Sequence, residues 1–210
     1  MGKIYLIRHG ETDSNLGHRF QGQMDLPLNG TGLAQAQKMA DYMAEKQIDA
    51  IYSSSMLRAL MTTSKLAMAK NLPYRSLDLL KEISFGDWEG LEYSDIQARW
   101  PQEMYNFLHC PGKWQPPHGE TFAAAMERCR LAFEQIFVEQ GHDKNIAIVS
   151  HGGIIRLQLC LVLGIPLDNL WKLSVYNVSV STLSNWNGSL CVDSMNVADF
   201  LAKSVEAHVI

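Results

Sequence analysis

Two short segments of the chain share a pattern that restricts what it can fold into. They are KIYLIRHG (residues 3–10) and NIAIVSHGG (residues 145–153), and in each an apolar run ends in a histidine followed by glycine. Short apolar runs of this kind are typical of parallel strands that are buried on both faces. In such sheets ligands bind beyond the carboxyl ends of the strands, so we expect His9 and His151 to face each other at one edge.

The rest of the chain alternates between helical and strand patterns. Apolar spacing and turn residues predict helices at 29–46, 54–70, 121–140 and 154–163, strands at 3–7, 48–52, 73–77 and 145–149, and a hairpin of 177–186 with 189–192. This order predicts a single α/β domain over residues 1–210, a three-layer sandwich whose mostly parallel central sheet is flanked by helices. Residues 83–118 are irregular and predict a small lobe over the strand ends, and residues 196–210 predict a terminal helix.

Charge and cysteine content narrow the class of protein. The chain has 18 basic and 22 acidic residues and a net charge of −4, which argues against nucleic-acid and anionic-membrane partners. The four cysteines are widely spaced and form no zinc or disulfide pattern, and no secretory leader is recognisable at the start. We therefore expect a cytoplasmic protein that binds a small molecule. The strand at 177–186 and the apolar tail would support a homodimer.

Basic residues gather at the same predicted sheet edge. Arg8 and His9 end the first strand, His151 ends the later one, and Arg58 lies one turn into the helix that follows strand 48–52. In a chain of net negative charge, such a positive cluster indicates a bound anion. Arginine forks match phosphate oxygens, and the glycines after each histidine let backbone amides approach the ligand.

A histidine held beside a phosphoryl group is a candidate nucleophile, because neutral imidazole can attack phosphorus and form a phosphohistidine. The leaving alkoxide then needs a proton. Glu82 is the candidate acid, since Phe85 and Trp88 nearby would shield its carboxyl group from water. Asp87 and Glu89 are rival candidates from the sequence alone.

Seven motifs together resemble the histidine phosphatase superfamily, in the branch that includes cofactor-dependent phosphoglycerate mutase, over nearly the whole chain. They are Arg8-His9-Gly10-Glu11-Thr12 with Asn15, Arg19-Phe20-Gln21-Gly22, Asp25-Leu26-Pro27-Leu28, SSSMLRALMTT (53–63), EISFGDWEG (82–90), Gly119-Glu120-Thr121-Phe122 and Val149-Ser150-His151-Gly152-Gly153. The combination is far more specific than Arg-His-Gly alone.

The resemblance implies a division of labour. His9 would be the phosphorylated nucleophile and Glu82 the proton donor, which later acts as the base that activates water. The phosphoryl group would be held by Arg8, Arg58, His151 and Asn15, with Gln21, Gly22 and the Gly152 amide also lining the pocket. No metal and no cofactor is implied.

We therefore expect a metal-independent phosphatase that hydrolyses small-molecule phosphate monoesters through a phosphohistidine, with α-ribazole phosphate as one candidate substrate. Three other functions remain open at this point. A mutase of this family would have a longer segment after the Trp-Glu-Gly region, whereas residues 91–118 are short and contain no basic run, which favours hydrolysis. Trp100 to Gly119 is similar to α-ribazole phosphatase and to broad-specificity phosphatases without separating them. A phosphate-binding module without turnover is the second alternative, and the presence of both His9 and Glu82 argues against it. A metal-dependent hydrolase would need carboxylates grouped with the histidines, which the sequence lacks.

Overall fold

The computed structural model describes residues 1–201, which fold around one six-stranded sheet. Its strands are β1 (Gly2–Arg8), β2 (Ala50–Ser54), β3 (Tyr74–Leu77), β4 (Ile146–Ser150), β5 (Val180–Trp186) and β6 (Ser189–Val197). The spatial order is β3-β2-β4-β1-β5-β6; the first four strands are parallel, and β5 and β6 are antiparallel to their neighbours. The mostly parallel sheet is therefore confirmed, with its antiparallel part at one side.

Helices connect these strands. The α-helices are α1 (Asp13–Leu16), α2 (Gly30–Met43), α3 (Leu57–Lys70), α4 (Tyr93–Arg99), α5 (Pro101–His109), α6 (Phe122–Gln140) and α7 (Gly152–Leu163). Short 3₁₀ helices lie at Asp78–Leu80, Gly86–Trp88, Pro111–Lys113 and Leu167–Lys172. Within residues 1–201, no helix combines the length and apolar character that crossing a bilayer requires.

Alternation along β1 shows how the three layers form. Ile4 and Leu6 pack with α6 and α7 on one face of the sheet, whereas Tyr5 and Ile7 pack with α2 and α3 on the other. Successive side chains of a strand point to opposite faces, so a continuous apolar run needs a helical layer on each side. Fully burying each such aliphatic side chain contributes roughly 1.5–3 kcal/mol. The sandwich thus follows directly from the apolar runs.

The segment between β3 and α6 forms the predicted lobe, with an aromatic core of its own. Trp88 and Phe107 are fully buried there, and Trp114 packs on Trp88 with ring centroids 4.7 Å apart. The Trp114 indole N–H also donates to Glu103 at 2.5 Å. Trp114 therefore stabilises the lobe and is not part of the cavity wall described below.

The predicted terminal helix is wrong for residues 196–201. Strand β6 pairs with β5 as far as Val197, which lies opposite Val180, and residues 198–201 form a turn and bend. The backbone N–H of Asn196 donates to Ser181 Oγ at 3.0 Å, which attaches this end of β6 to its neighbour. Cross-strand pairing therefore decided the conformation. The rest of the predicted helix, 202–210, lies outside the described residues.

Candidate active site

The two His-Gly segments meet because their strands are neighbours. In the parallel pair of β1 and β4, Arg8 lies opposite Ser150, so the next residues, His9 and His151, emerge side by side. Their ring centroids are 5.2 Å apart, with the ring planes inclined by 59°. The structure therefore brings the two histidines together at the carboxyl ends of the strands.

A cavity of about 60 Å³ opens at this edge of the sheet, and we call it the strand-end cavity. Eight of the nine residues that the sequence pointed to line it: Arg8, His9, Asn15, Gln21, Gly22, Arg58, Glu82 and Gly152. The ninth, His151, is fully buried beside His9. Tertiary folding thus gathers residues from six separate segments of the chain around one small volume.

The orientation of the His9 ring is set by its own loop. Nδ1 lies 2.6 Å from the carbonyl oxygen of Gly10. A carbonyl only accepts hydrogen bonds, so Nδ1 must carry the proton in the neutral ring. Nε2 then keeps its lone pair, which is the form that a nucleophilic imidazole requires.

His151 is oriented by a serine at the end of β2. Its Nε2 lies 2.7 Å from Ser54 Oγ, and the Met56 N–H donates to the same oxygen at 3.3 Å. When the Ser54 hydroxyl donates to Nε2, Nδ1 of the neutral ring carries the ring proton. Nδ1 is buried without a partner among residues 1–201, and in that tautomer it is a donor suited to a phosphate oxygen.

Arg8 and Arg58 are fixed by backbone carbonyls. Arg8 Nη1 donates to Val175 O at 2.6 Å, and Arg58 donates to Gly22 O at 2.7 Å and Met24 O at 2.8 Å. In both side chains Nε is buried and has no hydrogen-bond partner within residues 1–201. Buried donors are rarely left unsatisfied. These Nε groups, like His151 Nδ1, are donors available for an anion.

Burial and like charges shift the ionisation of this group. Burial lowers the pKa of Arg8 to about 9 and that of Arg58 to about 10, so both guanidinium groups stay cationic at pH 7. For His9, burial first and then the charges of Arg58 and Arg8 hold the pKa well below 6.5. The pKa of His151 is lowered for the same reasons. Both histidines are therefore neutral at neutral pH, and the arginines supply the positive charge.

These lowered pKa values predict how stability depends on pH. Above pH 6.5 the two histidines are neutral in both the folded and the unfolded chain. Below pH 6.5 the histidines of the unfolded chain bind protons, whereas those of the folded chain do not do so readily. Lowering the pH therefore favours the unfolded chain. We expect the free energy of unfolding to fall by about 1.4 kcal/mol per pH unit for each of the two histidines well below pH 6.5. Urea denaturation between pH 7.5 and 5 measures this slope. His9→Ala should make it shallower; an unchanged slope in that variant would contradict the argument.

Among the three candidate acids, only Glu82 lines the strand-end cavity. Its Oε2 accepts the Gly153 N–H at 3.1 Å and its Oε1 accepts the Ile83 N–H at 3.0 Å, which fixes the carboxylate at the start of α7. Glu89 instead accepts from the N–H groups of Gln23 and Phe85, at 3.0 Å each. The exposed Asp87 pairs with His118. The geometry therefore favours Glu82 over Asp87 and Glu89 as the candidate acid.

Helix α1 and the loop between α1 and α2 close one side of the cavity. Asn15 belongs to the capping box of α1, where its Oδ1 accepts the Thr12 N–H at 3.1 Å, so one residue both caps the helix and lines the cavity. Gly22 has φ +49°, and a Cβ there would lie 2.1 Å from Glu89 Oε1. Only glycine fits this approach, which lets the Gly22 carbonyl reach Arg58.

Seven further residues that the sequence did not single out for the site also line the cavity: Arg19, Phe20, Phe85, Phe107, Gly153, Arg156 and Trp171. For Gly153 and Arg156 a signal existed, because Arg156 is one turn beyond the His-Gly-Gly motif in a helix that is otherwise mostly apolar. The aromatic residues gave no such signal, since aromatic side chains are common in any core. They form a wall beside Glu82.

Comparison with known proteins agrees with this geometry. The sequence profile of the histidine phosphatase superfamily (branch 1) matches residues 4–198. The chain is 30% identical over 210 residues to phosphoserine phosphatase 1 of Hydrogenobacter thermophilus, covering 99% of both chains. It is 30% identical over 176 residues to the adenosylcobalamin/alpha-ribazole phosphatase of Escherichia coli, covering 82% of this chain and 85% of that protein.

A solved structure shows the same fold. The mycobacterial glucosyl-3-phosphoglycerate phosphatase, in its complex with VO3, superposes with a TM-score of 0.88 at 30% sequence identity, covering 94% of this chain and 100% of that one. The profile match spans almost all of the residues that the structure describes, and these relatives share the name phosphatase. The chain therefore belongs to the histidine phosphatase superfamily and is a phosphatase.

Proposed function

We propose that this phosphatase hydrolyses small-molecule phosphate monoesters in two steps, through a phosphohistidine on His9. The observation that carries the proposal is the arrangement around the His9 ring. Its proton is held on Nδ1 by the Gly10 carbonyl, and two buried guanidinium groups whose Nε donors have no partner in the described part of the chain lie in the same cavity. A phosphoryl dianion would satisfy those donors and place phosphorus beside Nε2.

In the first step, His9 Nε2 attacks phosphorus while the ester P–O bond breaks. Glu82, in its protonated form, gives its proton to the leaving alkoxide, so that the free alcohol departs. Arg8, Arg58 and His151 Nδ1 bind the phosphoryl oxygens as their charge is redistributed, with Asn15 and the Gly152 N–H beside them. Such fixed donors in a buried site stabilise the transition state without reorganising.

In the second step, water attacks the phosphohistidine. Glu82, now a carboxylate, takes one proton from that water, the P–N bond breaks, and its electron pair returns to Nε2. Inorganic phosphate leaves, and Glu82 is protonated again for the next cycle. The same carboxyl group thus acts as acid and then as base, as its position beside the cavity allows.

The lining of the cavity and the relatives both bear on the substrate class. The cavity is lined on one side by arginines and histidine and on the other by Phe20, Phe85, Phe107 and Trp171, which suits a phosphoryl group and a small leaving group. The relatives named above act on phosphoserine, glucosyl-3-phosphoglycerate and α-ribazole phosphate, and these are the first esters to assay here. Phosphoglycerate mutase-type transfer and phosphate binding without turnover are the alternatives.

The cellular location and the oligomeric state of the protein stay predictions. All four cysteines lie within the described residues and are unpaired, which is consistent with the cytoplasm that we propose. A small phosphorylated metabolite is the proposed partner. A homodimer is also proposed, and size-exclusion chromatography with light scattering would test it.

The test of the proposed function is release of phosphate from p-nitrophenyl phosphate in the presence of a chelator. We expect turnover to persist with EDTA, because every proposed step uses side chains of the chain itself. Acid quenching destroys a phosphoramidate, so the intermediate should be trapped from ³²P-labelled substrate at alkaline pH and should vanish in acid. Loss of activity with EDTA, restored by a divalent cation, would contradict the mechanism. Binding of phosphate without turnover of any of the esters would support the binding module instead.

A further inference from the structure

Arg156 is a third buried arginine in the strand-end cavity, and the two-step mechanism does not use it. It lies one turn into α7, is only 3% exposed and lines the cavity. A Cβ on Gly152 would lie 3.1 Å from Arg156 Nη1 and 3.3 Å from Arg8 Nε. The two guanidinium groups therefore flank the same glycine at the start of the helix.

The Arg156 side chain is held in place on its far side. Its Nε donates to Leu173 O at 2.7 Å, and the guanidinium lies over the Trp171 ring, 5.4 Å from the centroid. A guanidinium that is already ordered loses little conformational freedom when it binds a ligand. Burial lowers its pKa to about 10, so it remains cationic at neutral pH.

The charges in the cavity exceed what one phosphoryl group requires. A phosphate monoester carries between one and a half and about two negative charges at pH 7, and Arg8 and Arg58 supply two positive charges. Arg156 adds a third, close enough to Arg8 to contribute to the lowering of the pKa of Arg8. Like charges brought together in a buried site are costly unless an anion offsets them. Glu82 lines the same cavity, and its carboxylate form offsets one of these charges. In the protonated form that the first step requires, Glu82 offsets none of them, and one positive charge is left for an anionic group in addition to the phosphoryl group.

The position of Arg156 relates it to the leaving group. Glu82, the proposed acid, contacts the Gly153 N–H, and Arg156 follows Gly153 on the next turn of the same helix. The leaving oxygen must lie beside Glu82 to receive its proton. A second substituent on a short leaving group then comes within reach of Arg156, next to the wall formed by Phe107 and Trp171.

We propose that Arg156 is a specificity-determining residue that binds a carboxylate on the leaving group, so that the preferred substrates are phosphorylated hydroxy or amino acids. A planar carboxylate matches the guanidinium fork. This inference rests on the proposed function and names its substrate class. The carboxylate source, an amino acid or a sugar acid, is left to the experiment.

The experiment compares matched pairs of esters that differ in the carboxylate: phosphoserine with phosphoethanolamine, and 3-phosphoglycerate with glycerol 3-phosphate. For the wild-type chain we expect kcat/KM to be at least about 10-fold higher for the acid in one of the two pairs, which identifies the source. In Arg156→Gln that ratio should fall about 10-fold or more, mainly through KM. Arg99→Gln, which removes one charge from an exposed position of the lobe, is the matched control and should keep the wild-type ratio.

Two results would overturn the inference while leaving the proposed function intact. One is a wild-type chain that hydrolyses p-nitrophenyl phosphate but prefers neither acid, which leaves the proposed function intact while removing the carboxylate site. The other is a wild-type preference that Arg156→Gln leaves unchanged, because the carboxylate is then bound elsewhere.

If thermal unfolding shows that Arg156→Gln does not fold, Arg156→Lys is the deciding variant. Lysine keeps the positive charge but lacks the guanidinium fork, so the preference in kcat/KM for the acid should fall, and an unchanged preference would contradict the proposal. A wild-type chain that hydrolyses no ester refutes the proposed function and this inference with it.

Discussion

We expect His9→Ala to abolish turnover of phosphate monoesters, with kcat lowered by roughly 10⁴-fold or more, the scale of losses when a covalent nucleophile is removed. The reason is that the other candidate groups described in the strand-end cavity are committed elsewhere. His151 is fully buried and its Nε2 is engaged with Ser54. Glu82 is needed to protonate the leaving group, and its carboxyl group is held by the Gly153 and Ile83 N–H groups. Arginine side chains cannot serve, because protonated guanidinium has no lone pair to offer. Phosphate release from p-nitrophenyl phosphate measures the loss.

The control for this variant is His109→Ala, which removes an exposed histidine of α5 in the lobe and should leave kcat unchanged. His9→Ala should still bind inorganic phosphate, since Arg8, Arg58 and His151 remain, and isothermal titration calorimetry can show this. A variant that kept a tenth or more of wild-type activity would refute the phosphohistidine. A variant that lost phosphate binding as well would assign His9 to the binding of the anion rather than to attack on phosphorus.

Glu82→Gln has the second large effect, and its size depends on the leaving group. For alkyl esters such as glycerol 3-phosphate, whose alkoxide leaves poorly, we expect kcat/KM to fall by about 10²–10⁴-fold, the usual worth of general acid catalysis. For p-nitrophenyl phosphate the fall should be at least 10-fold smaller, because the phenolate leaves without a proton. Glutamine keeps the shape of the side chain and an oxygen acceptor toward Gly153, so the fold should be preserved.

The comparison variant is Asp87→Asn, since Asp87 is a rival acid in sequence but is exposed and pairs with His118. It should lower the rates on both esters little and equally. Equal losses on both esters in Glu82→Gln would move the role of acid to another group. If Asp87→Asn showed the dependence on the leaving group instead, the acid would be Asp87, and the lobe would have to move during catalysis.

The strand-end motifs were informative because chain order determines where they lie. A residue that directly follows a buried parallel strand emerges at the carboxyl edge of the sheet, whatever the rest of the fold does. The order of strands and helices was therefore enough to predict that His9, His151 and Arg58 lie near one another, and the structure places them so. Glu82 was less certain, because it lies in an irregular segment. Its place in the cavity wall and its contact with Gly153 separate it from Asp87 and Glu89.

Local patterns were misleading where pairing over a long range outweighs them. The segment from Asn196 onward was predicted as helix, yet β6 continues to Val197 because β5 offers it backbone partners. Trp114 belongs to no pattern that assigns it to the core or to the site, and its packing against Trp88 places it in the core of the lobe. Strand pairing and aromatic packing depend on partners far apart in the chain, which periodicity within one segment cannot reveal.

Apolar runs and the residues that end them were enough to predict the three-layer fold, the edge at which the strand-end cavity opens and eight of the residues that line it. The tautomer of His9, the contact that orients His151, the preference for Glu82 as the candidate acid and the presence of Arg156 in the cavity depended instead on tertiary contacts. The sequence could not predict this second group of features. A hydrogen bond, such as that between Ser54 and His151, requires two residues far apart in the chain to be placed to within a few tenths of an ångström.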